Sequence, residues 1–178
     1  YKNLEDEIMK ILFIKPPNHG FYHEIVRYYP VGLAYLAAAC RENGFEVKIF
    51  DSLVYTEDNC ILSDDKLSEG QIYKKNHHPS WNNIISWGAS YKRIEKKIRE
   101  EKPDVVSITA MHSPMYDTAY KIAEIAKEIN FNIKVIMGGS HPSIAPEHVL
   151  RRSQVDYVLM GEGEDSIVEL MKCISERS

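Results

Sequence analysis

The sequence predicts an α/β fold: a doubly wound parallel sheet of five strands with helices on both faces. Three observations predict it. Five short apolar runs alternate along the chain with stretches that carry helical spacing. The first, Ile11–Ile14, is continuous rather than alternating, as in a strand buried on both faces. The runs stop at Pro, Asp or Gly signals with a helix-length connection between them, which makes neighbouring strands parallel. Five strands rather than six favour the order 2-1-3-4-5. In such a sheet ligands collect outside the carboxyl ends of the strands, at the switch point between the first and third.

Residues 1–8 read as a leader, an expression remnant or an extension, and Met9 as a start that runs straight into a strand. The first strand is Ile11–Ile14, stopped by Lys15-Pro16-Pro17. The loop Asn18–Pro30 is long and rich in His and Tyr, a length that in a compact domain points to function. The helix from Val31 to Asn43 carries Leu33, Leu36, Ala37 and Cys40 on one face, with Gly44 just past its end. Phe45–Phe50 is the second strand, ended by Asp51. Ser52–Ser90 breaks the rhythm: it is polar, without a sustained period, and aromatic only at Trp81 and Trp87, so it reads as an insertion. Ser90 is placed to cap the helix Tyr91–Lys102, in which Glu95 and Arg99 form a favourable i,i+4 pair.

Asp104–Thr109 is the third strand, and Tyr116–Asn130 the next helix, with Ala119, Ile122, Ala123, Ala126 and Ile129 at helical spacing. Lys134–Met137 and Tyr157–Met160 are the fourth and fifth strands, with a short helical piece opened by Pro146 between them. The last helix runs from Glu164 to about Glu176. The stretch Ile133–Glu164 thus supplies two strand ends, Gly138-Gly139 and Gly161-Glu162-Gly163-Glu164, to the ligand edge.

The chain has 178 residues, enough for one domain with a real core. Its net charge of -4, with Lys and Arg spread along the chain, argues against nucleic acid as a partner. The longest apolar run, Val31–Cys40, is too short for a membrane span, and no secretory signal opens the chain. Cys40, Cys60 and Cys173 form neither a CxxC pair nor an iron–sulfur spacing, and the expected compartment is a reducing cytoplasm.

The first strand is followed by KPPNHG rather than G-x-G-x-x-G, and there is no Walker A loop, which argues against a phosphate-cradling NAD or ATP site. A phosphoacceptor receiver needs an Asp where the third strand ends, and here that end reads Ser107-Ile108-Thr109-Ala110. Ser107 and Thr109 share one side of a strand expected to be apolar on both. They are either small hydroxyls satisfied by backbone or a polar notch for a ligand. Gly138 and Gly139 are either a tight turn or a close approach. His19, His23, His112 and His141 sit on ligand-edge loops, and His77-His78 with Cys60 fits no standard zinc spacing.

Taken together, the motifs resemble the amino-terminal cobalamin-binding domain of cobalamin-dependent radical SAM enzymes. The matching pieces are Lys15-Pro16-Pro17, Tyr29 to Ala37 (YPVGLAYLA), Lys102 to Ile108 (KPDVVSI), Met137 to Ser143 (MGGSHPS) and Val155 to Glu164 (VDYVLMGEGE). They span residues 9–178, and an insertion at 52–90 ending in Trp87-Gly88 also occurs in some branches. The resemblance implies a Rossmann-like (flavodoxin-like) three-layer α/β/α fold that binds cobalamin base-off across the carboxyl edge of the sheet.

By that resemblance the cofactor site is drawn from Pro17, Tyr29, Pro30, Gly32, Asp51, Ser107, Thr109, Met111, His112, Ser113, Gly138, Gly139, Ser140, His141, Gly161, Glu162 and Gly163. Ser107 and Thr109 would line the pocket of the nucleotide tail. Gly138 and Gly139 would let the tail pass close, and Gly161 to Glu164 would close the far wall. Residues 110–115 would lie under the cobalt, with His112 as its possible metal neighbour. Cobalamin mutases and methionine synthase present Asp-x-His-x-x-Gly. Here Asp51 is followed by Leu53 and Thr56, so that cobalt-binding His is missing.

The complete enzyme would use S-adenosylmethionine and a [4Fe–4S] cluster in a radical SAM barrel, in cis or trans, for methyl transfer. Some members use cobalamin for oxidation or ring contraction instead. This chain has no Cys-x-x-x-Cys-x-x-Cys and is not expected to be catalytic alone. The alternative is a flavodoxin-like regulatory or protein-interaction module for another small ligand.

Overall fold

The computed structural model describes residues 8–20, 29–63, 84–111 and 116–176. The main sheet holds β1 (Lys10–Lys15), β3 (Glu46–Asp51), β6 (Val105–Thr109), β7 (Lys134–Gly138) and β8 (Tyr157–Leu159). Its order is β3-β1-β6-β7-β8 and every pairing is parallel, the 2-1-3-4-5 arrangement expected from the sequence. β1 is buried on both faces: Ile11, Leu12, Phe13 and Ile14 are all fully inaccessible.

Alternate side chains of β1 feed two cores. Leu12 and Ile14 meet α2 (Tyr91–Glu101) and α3 (Tyr116–Ile129) through Ile94, Ile98, Ile122 and Ala126. Ile11 and Phe13 meet α1 (Val31–Glu42) and α6 (Glu164–Ser175) through Leu33, Ala37, Ile167 and Met171. That division is the three-layer α/β/α architecture. Gly44, just past α1, is at φ 88, the left-handed conformation a helix stop of this kind requires.

Residues read from the sequence as loop or insertion contain a second sheet. β2 (Asn18–Gly20), β4 (Cys60–Ile61) and β5 (Ile85–Trp87) form an antiparallel sheet of order β2-β5-β4. The chain after β1 and the two ends of the insertion therefore fold together. Gly88, at φ 104, lies so close to Ser52 that an added Cβ would sit 2.6 Å from its carbonyl oxygen. Ala89 donates its N–H to that same oxygen.

The expected cap on α2 is corrected. The Ser90 side chain makes no capping bond. Asp58, from the insertion, accepts the Ser90 N–H at 2.8 Å and holds Arg93 through two further bonds. The Arg93 guanidinium also lies over the Tyr55 ring, which stacks on Phe50. This clasp ties the insertion to α2, and with the Ser90 amide it keeps the Asp58 carboxyl well below the usual carboxylate range. The Glu95–Arg99 pair forms as expected, at 2.8 Å. A short helix absent from the sequence reading, α4 (Ser140–Ile144), follows β7 and leads into α5 (Pro146–Leu150).

Candidate functional site

A groove of about 870 Å³ opens at the carboxyl ends of β1, β6, β7 and β8. Its floor is Ser107, Ile108 and Thr109 of β6; one wall is the start of α1, from Val31 to Leu33 with Leu36 a turn on. The other is built by the loops after β7 and β8. Strand register explains the placement. β6, β7 and β8 end at Thr109, Gly138 and Leu159, level with one another in the register (Thr109↔Gly138, Gly138↔Leu159).

Ser107 is only 4% exposed, and it lies among apolar neighbours at the groove floor. Neither its hydroxyl nor that of Thr109 has a hydrogen-bond partner among the described residues. Thr109 is half-buried, and both hydroxyls lie on one side of a strand at an open groove, where a ligand can reach them. The fully buried side-chain atoms without a partner among the described residues are Ser52 Oγ, Trp87 Nε1 and His141 Nε2.

The glycines divide into two kinds. Gly139 lies at φ 109, ψ -172, a region essentially reserved for glycine. An added Cβ there would stand 3.0 Å from the Ala110 carbonyl carbon and oxygen. Its missing side chain therefore serves packing of one loop on the next, reinforced by His141 N–H donating to the Ala110 carbonyl at 3.1 Å. Gly32 and Gly161 (φ 70) are different: a Cβ at either would meet nothing within 4 Å, so both leave open space at the groove. At Gly163 a Cβ would press on Leu36 at 3.1 Å, which lets α6 approach α1.

Of the residues read from the sequence, Tyr29, Pro30, Gly32, Ser107, Thr109, Met111, Gly138, Gly139, Ser140, Gly161, Glu162 and Gly163 all line this groove. Three others lie outside its lining. Pro17 is buried between β1 and β2. Asp51 is turned to Lys15, 3.3 Å away, and accepts the Leu53 N–H at 2.9 Å. The His141 ring stacks on Tyr116, 5.2 Å between centroids, and meets His148 edge-on at 5.8 Å. Burial and the neighbouring His148 push its pKa down, and its Nε2 is buried without a partner among the described residues. His112 and Ser113 lie outside the described residues, so the cobalt neighbour named from the sequence does too.

Glu164, read from the sequence as part of the far wall, lines the groove too; so do Lys15, Leu33, Leu36, Ser143, Ile144 and Leu159, which sequence reasoning does not name as site residues. Lys15 carries a signal, being a charge that ends an apolar strand. It is 2% exposed. Among the described residues no group of three or more His, Cys, Asp or Glu is placed to hold a metal ion. No helix among them is long and apolar enough to cross a membrane.

A family model described as "B12 binding domain" matches residues 76–171, more than half of the chain. An uncharacterized methyltransferase of Pyrococcus horikoshii is 36% identical over 173 residues, 96% of this chain and 30% of that protein. The cytidylyl-2-hydroxyethylphosphonate methyltransferase of Streptomyces wedmorensis is 30% identical over 87% of this chain and 26% of its own length. The anaerobic magnesium-protoporphyrin IX monomethyl ester cyclase of Rubrivivax gelatinosus is 29% identical over 94% of this chain and 25% of its own. The chain thus spans between a quarter and a third of these relatives. Among solved structures, the methanol:cobalamin methyltransferase complex MtaBC of Methanosarcina barkeri superposes with a TM-score of 0.59 at 11% identity. The superposition covers 95% of this chain and 47% of that one, and at this identity it speaks for the fold alone.

Proposed function

The chain belongs to the B12-binding domain family, and from that premise we propose that the groove at the carboxyl edge holds cobalamin base-off, its nucleotide tail inserted along β6. The observation that carries this reading is the pair of hydroxyls, Ser107 and Thr109, set on one side of β6 at the floor of a groove whose lining is mostly apolar. The residues present fit such a group. A tail of aromatic base, sugar and phosphate needs a slot that is mostly apolar, a few hydroxyls to fix it, and backbone it can pass closely. Leu33, Leu36, Ile108 and Leu159 supply the first, Ser107 and Thr109 the second, and the open sides of Gly32 and Gly161 the third. When bound, cobalamin supplies a cobalt centre able to carry a methyl group, and the protein's task is binding and electronic tuning.

The relatives lend support to a finer reading. Two are methyltransferases, and each is more than three times the length this chain covers. We read the chain as the module that presents methyl-carrying cobalamin to a radical SAM barrel in cis or trans. S-adenosylmethionine and the [4Fe–4S] cluster would belong to that barrel. Met111, 40% exposed, lines the groove and would be among the residues facing the cofactor.

The test is direct. The chain is incubated with hydroxocobalamin, desalted, and its visible spectrum recorded under oxidising and anaerobic reducing conditions. Retained corrin with a base-off spectrum is the expected result. Absence of corrin under every condition would overturn the reading.

A further inference from the structure

The wall of the groove formed after β8 is thinly supported. β8 is an edge strand of three residues, and among the described residues it pairs with β7 alone, through Ile136↔Tyr157, Met137↔Val158 and Gly138↔Leu159. Immediately beyond it the chain turns through Gly161 at φ 70, with open space around that Cα. One side chain crosses from the neighbouring loop to hold this turn. The Gly161 N–H donates to Ser143 Oγ at 3.0 Å, and Ser143 Oγ donates to the Gly139 carbonyl at 2.9 Å.

Ser143 is itself well anchored. Its N–H donates to the Gly139 carbonyl, and Gly139 is packed on the Ala110 backbone. A single hydroxyl thus relays the rigid junction of β6 and β7 to the weakly paired turn after β8. It lines the groove while doing so.

We propose that Ser143 is a positioning residue: it latches the Gly161 turn and thereby sets how long the cofactor stays in the groove. This rests on the cobalamin reading above. The bond it makes joins the two loops that together build one wall of the groove. Without it, the turn after β8 swings on a glycine, and the tail's exit opens without any change in the floor at Ser107 and Thr109. A hydroxyl is needed because only a group that donates and accepts at once can bridge a carbonyl and an amide. A threonine keeps that capacity and an alanine does not.

The experiment uses the full chain with Ser143→Ala, Ser143→Thr and, as a control hydroxyl-to-carbonyl bond remote from the groove, Ser175→Ala. Two quantities are read: exchange of the Gly161 amide proton by NMR in the cofactor-free chain, and the dissociation rate of bound cobalamin. Loss of one such bond corresponds to roughly a tenfold change. Ser143→Ala is expected to speed both by about that factor, with Ser143→Thr near the unsubstituted chain and Ser175→Ala unchanged. A faster Gly161 exchange with an unchanged dissociation rate would overturn the latch while leaving the cofactor site standing. So would a threonine variant as fast as the alanine one, or an alanine variant that fails to fold. An unsubstituted chain that retains no cobalamin would instead fail the cofactor reading, and the latch with it.

Discussion

His19 gives the second sheet a built-in sensitivity to acid. It sits in β2, 8% exposed, opposite Ser86 and edge-on to Tyr91 at 6.1 Å. Burial lowers its pKa from 6.5 to about 4. The sign follows from proton counts: between those values the unfolded chain binds a proton that the folded chain refuses, so stability falls as the pH falls. The loss begins below about 6.5 and is complete near 4. At ~1.4 kcal/mol per pH unit, that interval amounts to about 3 kcal/mol. Such a loss is a sizeable part of the stability of an ordinary domain.

The measurement is urea unfolding of the unsubstituted chain and of the His19→Phe variant at about pH 7, 5.5 and 4, values that bracket the interval above. Phenylalanine keeps the ring contact with Tyr91 and removes the titration. Other acid-sensitive groups, including His141, are common to both chains and cancel in the comparison. The two chains should diverge progressively below about pH 6.5, with the His19→Phe variant losing about 3 kcal/mol less by about pH 4. Parallel losses in both chains would refute the reasoning, since His19 would then be charged, or exposed, in the folded state.

Further outcomes are expected around the groove and the clasp. Gly139→Ala should lower stability by about 1–3 kcal/mol in urea titration, because its backbone conformation excludes a side chain and Ala110 occupies the space. Gly32→Ala should be neutral or stabilising by up to about 1 kcal/mol, since it lies in α1 with nothing near its Cα, yet it should weaken cobalamin binding. Ser107→Trp should fill the floor, abolishing retention of corrin after desalting while circular dichroism and the thermal midpoint report a folded chain. Arg93→Ala should free the clasp on Asp58 and Tyr55, seen as new cleavage between residues 55 and 63 in limited proteolysis mapped by mass spectrometry.

The main sheet is legible because short, largely apolar segments alternate with helix-length connections, and the central one is apolar throughout. Ile11 to Ile14 needs burial on both faces, and only a central parallel strand provides that. The second sheet is not legible. Cys60-Ile61 is too short for any period, and Asn18-His19-Gly20 has a loop composition. The strand that joins them, Ile85–Trp87, lies far beyond Asn18–Gly20 in the chain, with α1 and β3 between. Pairing at that range leaves no local mark.

At the groove, Ser107 and Thr109 stand out as polar residues in an apolar strand, and the glycines as strand ends. The purpose of Gly139 is hidden, because a close approach to Ala110 and a close approach to a ligand demand the same residue. His141 reads toward the groove because α4, which turns its ring to Tyr116 and His148, is a five-residue helix without a periodic signal. Ser143 is hidden for a related reason: its partner, the Gly161 amide, is a backbone group with no identity in the sequence.

The position of β1 bears on where this domain can be cut. The segment matched by the family model begins at residue 76 and so excludes both β1 and β3. Yet β1 lies inside the sheet, between β3 and β6. A fragment starting there would end at β6, with Val105 to Ile108, all buried in the whole chain, presented as an open edge. Long apolar edges of that kind recruit other strands. The smallest unit that can stay monomeric must therefore begin at or before Lys10. The segment that the family model matches is thus less than the unit that closes the sheet.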